Sequence, residues 1–191
     1  MSLPPIFLAL ALLLPGLASA GPREDVHAAY TRFLAARTFR ATVTDVKKGQ
    51  QLSTMEFVAP DRYHISSGND DMEQIIIGDE AYTRINDRLM KLPVPVSRIV
   101  GQYRNRETLD ELARDLEVTA LGEEDVDGEA ARIYGYTVTR PAKADVKVWI
   151  GNASGLPLQI ESQGRFMGVK STTRVRYSHY DDPDITVDTP G

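Results

Sequence analysis

From Phe39 onward the chain alternates apolar and polar residues with a period of two. Phe39, Ala41 and Val43 alternate with Arg40, Thr42 and Thr44; Tyr63 and Ile65 alternate with His64 and Ser66. The same pattern returns at Val146, Val148 and Ile150, at Leu158 and Ile160, and at Val175 and Tyr177. A period of two puts successive side chains on opposite faces of a strand. Turn residues interrupt the runs at Lys47–Gln50, Pro60-Asp61, Gly68–Asp71, Gly78-Asp79, Asn86-Asp87, Asp127-Gly128, Gly151–Gly155 and Gly164–Gly168. Gly122–Asp125 reads as a further, acidic turn. Short runs with such closely spaced turns demand antiparallel hairpins and leave no room for βαβ crossovers. The pattern predicts about 10–11 strands. Ile75-Ile76-Ile77 is apolar at every position and is expected to lie centrally.

Three segments carry the helical period instead. Pro22 suits a first turn, and Val26, Tyr30, Phe33 and Leu34 then form one apolar stripe. Val96, Ile99, Val100 and Tyr103 form a second stripe, bounded upstream by Pro93 and Pro95. Thr108 and Glu111 make a capping box that opens a third helix with Leu109, Leu112 and Leu116 inward. A single stripe allows burial on one side only, and the surface available is the sheet. The expected fold is therefore α+β. It is a strongly curved antiparallel sheet, an incomplete β-barrel, with its concave face covered by about three helices near residues 23–37, 96–104 and 108–116. The end, Asp181 to Gly191, reads as a loosely attached tail or a last edge strand.

The first twenty residues speak to location. An apolar run from Ile6 to Leu14 is followed by Pro15-Gly16 and then Ala18-Ser19-Ala20, the layout of a secretory signal peptide. The run is shorter than the roughly 20 apolar residues that span a bilayer. The expected organisation is a signal peptide over 1–20 and a single domain over 21–191, exported to the periplasm, soluble after cleavage and without a stable membrane anchor. The chain has no cysteine, so neither a lipid-anchoring Cys nor a disulfide is available. The net charge of −5 argues against nucleic acid.

Catalytic chemistry has little to work with. His27, His64 and His179 have no metal-ligand spacing, and Asp70-Asp71 and Asp181-Asp182-Pro183-Asp184 lack the alternating oxygens of a calcium loop. The expectation is no enzyme, no metal and no cofactor. A binding role fits better, because helices laid across a curling sheet leave an apolar space between the layers. The stripes place Tyr30, Phe33 and Ile99 on its helical side. Phe39, Tyr63, Ile65, Ile75, Ile77, Val148 and Ile150 supply the sheet side. Whether that space is a cavity or a filled core is open on pattern alone.

Several strings carry a resemblance. Phe57-Val58-Ala59-Pro60-Asp61-Arg62-Tyr63-His64, Ile77-Gly78-Asp79-Glu80-Ala81-Tyr82, and Asp127-Gly128 followed by Val148-Trp149-Ile150 and Gly155-Leu156-Pro157 occur in order along the chain. With the leader, first helix and helical interruption, they resemble the LolA/LolB-like and LppX-like superfamily of periplasmic lipid and lipoprotein carriers. Ala59 stands where the lipoprotein carrier proper has an arginine, which marks a divergent relative. The resemblance implies an open barrel whose concave face holds acyl chains or a lipoprotein under a helical lid, with an envelope or inner-membrane protein as a further partner. Its alternative is a sensor or interaction module with a filled core that regulates such a partner.

Overall fold

The computed structural model describes residues 21–68, 70–93, 106–107, 110, 116–139, 143–166 and 169–190. One helix, α1 (Pro22–Ala35), precedes the strands β1 (Thr38–Asp45), β2 (Gln50–Val58), β3 (Arg62–Ser67), β4 (Met72–Ile77), β5 (Glu80–Ile85) and β6 (Arg88–Leu92). They are followed by β7 (Thr119–Val126), β8 (Glu129–Val138), β9 (Ala144–Gly151), β10 (Pro157–Phe166) and β11 (Val169–Ser178). All eleven strands form one antiparallel sheet in the order β6-β5-β4-β3-β2-β1-β11-β10-β9-β8-β7. Each strand pairs with its sequence neighbour, except that β6 and β7 are separated to the two edges and β1 pairs with β11 in the middle. The sheet is not closed.

The register gives the sheet two unlike faces. Phe39 lies opposite Phe57, Phe57 opposite Tyr63, Tyr63 opposite Ile76 and Ile76 opposite Ala81, so one face carries an apolar row across five strands. One residue along, Arg40 lies opposite Glu56, Glu56 opposite His64 and His64 opposite Ile75. That second face is laced by cross-strand ion pairs: Arg40–Glu56 at 2.6 Å, Arg84–Glu73 at 3.2 Å and Arg174–Glu161 at 2.5 Å. Each such pair contributes only about 0.2–1 kcal/mol. The apolar face, which α1 covers in part, is called inner here.

Pro22 opens α1, Glu24 and Asp25 sit in its first turn and Arg32 in its last, each favourable to the helix dipole. Val26 and Ala29 are buried against Tyr134, Val148 and Ile150. Asp25 accepts from Arg132 at 2.7 Å and from the Tyr134 hydroxyl at 2.5 Å, which pins the first turn to β8. At the other end Phe33 packs on Phe39 and Tyr177, with ring centroids 5.0 and 5.1 Å away. The expectation of about three helices is not borne out: among the described residues α1 is the one helix with both ends defined, and Arg106, Glu107 and Asp110 are the other helical positions. The stripe at 96–104 lies outside the described residues, as does most of 108–116. Asp110 and Leu116 belong to that second span and meet α1 through His27 and Arg23.

Two readings of the chain are corrected. Gly122–Asp125 is strand, because β7 runs through it. Its glycine absorbs a bulge between Ala120 and Gly122 at φ 127, where a side chain would be strained. The C-terminal segment is neither loose nor an edge strand. Ile185 and Val187 are buried, and Thr38 and Arg62 donate to the carbonyls of Asp182 and Val187. Thr38 and Arg62 both face outward, so the segment is strapped across the outer face of β1–β3.

Candidate functional site: the inner face of the sheet

Seven of the ten residues assigned to the apolar site come together on one side. Phe39, Tyr63, Ile65, Val148 and Ile150 project from the inner face, and Tyr30 and Phe33 meet them from α1. Ile75 and Ile77 do not join them. Ile75 lies opposite His64 and Tyr82, and Ile77 opposite Arg62 and Glu80, all on the outer face. Three consecutive isoleucines cannot share a face in a strand, and the inward one is Ile76. Ile99 lies outside the described residues.

The inner face is built in two patches. Phe39 stacks on Phe57 at 4.9 Å, Phe57 touches Tyr63 at 5.0 Å, and Ile76 and Ala81 extend the patch toward β5. Tyr134, Val148 and Ile150 form the second patch, with Ile160 and Tyr136 packed beside it. At about 1.5 Å per residue, the fourteen residues of α1 span roughly 21 Å. Eleven strands at about 4.8 Å spacing are roughly 48 Å across. The helix therefore spans less than half of the sheet it lies on. Away from it the inner side chains keep accessible surface. Ile85 is 38% and Met90 48% exposed, and the neighbouring Leu52, at the β2 irregularity, is 39% exposed. A shallow depression of about 130 Å³ opens there, lined by Leu52, Ser53, Ile65, Ser67, Met72 and Gln74.

Within the second patch two phenols meet: the hydroxyls of Tyr30 and Tyr136 are 2.7 Å apart. Burial pushes the Tyr30 phenol well above its ordinary range, reinforced by Tyr136. Burial also pushes Tyr136 up to about 12, with Tyr177 adding to the shift and the bond from Tyr30 opposing it. Tyr134 is likewise pushed up to about 12, first by burial and then by its bond to Asp25. Between pH 10 and 12 the folded protein thus holds phenolic protons that the unfolded chain has released. This contribution is fully present below about pH 10 and is lost as pH rises through the folded values. Urea midpoints are expected to decline from pH 10 to 12 from this cause, with tyrosinate absorbance from these residues appearing only near the top of that range. Early ionisation of all the tyrosines near pH 10, with no loss of midpoint, contradicts it.

His27 is held by Asp110 at 2.8 Å, His179 by Ser178 at 2.9 Å, and His64 sits on the outer face 3.8 Å from Glu56 and from Glu73. Among the described residues no group of three His, Cys, Asp or Glu is placed to hold a metal. Phe57, Ile76, Tyr136 and Tyr177 lie on the same inner face, and the sequence pattern does not single them out. Counting in twos from Tyr63 lands on Ile75 and Ile77, and it is the pairing of Tyr63 with Ile76 across the hairpin that turns Ile76 inward.

Comparison with known proteins gives a fold and no closer kinship. No family model matches the chain, and no curated protein sequence does. Among solved structures, the lipoprotein LppX of Mycobacterium tuberculosis superposes with a TM-score of 0.67 over 87% of this chain and 97% of its own, at 11% identity. LprF of Mycobacterium bovis superposes with a TM-score of 0.64 over 88% of this chain and 96% of its own, at 12% identity. The chain thus has the fold of the LppX-like proteins along nearly its whole described length, as the ordered strings in its sequence suggested.

Proposed function

We propose that the chain is an exported carrier or binding protein that takes up a hydrophobic ligand on the inner face of its sheet and does no chemistry on it. The observation that carries this reading is the mismatch, among the described residues, between a sheet eleven strands wide whose inner face carries two apolar patches and a helix that spans less than half of its width. An apolar surface of that extent, with Leu52, Ile85 and Met90 still exposed, needs a further apolar occupant. The shared fold with the lipoproteins LppX and LprF supports a lipid-related role, and the leader-like segment 1–20 supports a periplasmic one. An acyl chain of about 14 carbons would gain on the order of 11 kcal/mol on burial, at about 0.8 kcal/mol per CH₂. A carrier must release that ligand to a second envelope component, and part of this gain is offset by opening the cover over the sheet.

Native mass spectrometry of protein recovered from the periplasm of its own host tests the proposal. The expected spectrum starts at Gly21 and shows an added hydrophobic molecule. Apoprotein that also fails to take up Nile red or a fluorescent fatty acid would overturn the carrier reading in favour of an interaction module with a filled core. A chain retained in the inner membrane with residues 1–20 attached would overturn the assignment of that segment.

A further inference from the structure

We propose that the paired hydroxyls of Tyr30 and Tyr136 are the polar anchor of the hydrophobic site, and that they select apolar ligands bearing a carbonyl acceptor, such as an acyl ester. This rests on the carrier reading and deepens it. The argument is one of hydrogen-bond stoichiometry. Two phenols own two O–H donors, and the single 2.7 Å contact between them uses one. Whichever hydroxyl donates, the other keeps a proton, and among the described residues neither has a second hydrogen-bond partner. The pair sits among Val26, Ala29, Val148, Ile150 and Ile160, so the spare donor is in an apolar setting where leaving it unmade is costly. Both tyrosines keep some accessible surface as residues, while their hydroxyls are themselves buried, so a ligand meets the pair by entering the apolar patch.

Charge narrows the ligand class. The cation nearest along this face of β8 is Arg132, and it is committed to Asp25 at 2.7 Å. Among the described residues, a free carboxylate would have its negative charge uncompensated in this apolar patch, which is expensive. A neutral carbonyl accepts the same proton with no such penalty. Raised phenol pKa values keep both hydroxyls protonated, hence able to donate, throughout the physiological range.

The test uses the full chain after residue 20, loaded with Nile red, and measures displacement by methyl laurate and by tetradecane, which match in length. The ester is expected to bind about five- to tenfold more tightly than the alkane, the value of one hydrogen bond in an apolar site. Tyr30→Phe and Tyr136→Phe should each retain most of that preference, because one hydroxyl remains to donate. The double variant should lose it, to within about twofold, while tetradecane affinity is unchanged. The double variant should also unfold no more readily than either single one, because each single change strands a lone phenol and the pair of changes does not. Equal affinity of the unaltered protein for ester and alkane overturns the anchor and leaves the carrier reading standing, as does a double variant that keeps its ester preference. If neither compound nor Nile red binds, the carrier reading itself fails.

Discussion

Phe39→Ala is expected to lower the unfolding free energy by about 3–5 kcal/mol, the usual cost of emptying a buried phenylalanine site. In a domain of this size that corresponds to a fall in Tm on the order of 10 °C. Phe39 is 1% exposed and is the ring on which the inner face is assembled. It stacks on Phe57 at 4.9 Å, tilts against Phe33 at 5.0 Å and meets Tyr177 and Tyr180 edge-on or tilted at 5.7 and 6.1 Å. Three elements, α1, β2 and β11, and the start of the C-terminal strap therefore lose a shared partner on β1 at once. Thermal unfolding followed by far-UV circular dichroism reads the effect. A drop of less than about 3 °C would mean that the surrounding rings collapse into the space, and that Phe39 is not the keystone described here.

The second large effect separates the two faces of the sheet. Ile65→Glu places a carboxylate on the inner face, at the depression lined by Leu52, Met72 and Gln74. Ligand uptake, measured with Nile red, is expected to fall more than tenfold, because a charge in an apolar binding surface must be desolvated or the ligand displaced. Ile77→Glu puts the same charge on the outer face, opposite Arg62 and Glu80, where the surroundings are already ionic. Uptake there should stay within about twofold of the unaltered protein. If Ile77→Glu proves the more damaging to uptake, the ligand lies on the outer face and the site has been assigned to the wrong side.

That contrast also shows where reading the sequence succeeds and where it stops. Alternation at Phe39-Ala41-Val43 and Tyr63-Ile65 carries its own phase, because each apolar residue is flanked by polar ones. The face each of them takes is therefore legible in the sequence. Ile75-Ile76-Ile77 has no polar neighbour to set the phase, and only its register against Tyr63 and Ala81 decides which isoleucine points inward. The turns were legible for a similar local reason. Asn86 and Asp87 adopt φ 47 and 62, a conformation their short polar side chains tolerate, and so mark the β5–β6 hairpin. Gly122–Asp125 misled because glycine and acids also suit a bulged, exposed edge strand. The Tyr30–Tyr136 pair was invisible to periodicity, since it joins a helix to a strand far along the chain. The strap formed by Ile185 and Val187 is a tertiary contact of the same kind.

The meeting of β1 with β11 at the middle of the sheet has a consequence for how the chain is made. Every other ladder is a hairpin between neighbours and can zip as soon as both strands exist. The central ladder, from Arg40 opposite Ser178 to Asp45 opposite Thr173, joins the beginning of the domain to its end. Until the last strand has been synthesised, β1 is an open edge, and the aromatic row on Phe39 lacks Tyr177 and Tyr180. Loop closure over such a separation is slow. The topology thus delays completion of the core until the whole polypeptide is present. On the export route proposed above, that delay would keep the chain pliable during its passage, with folding finishing on the far side.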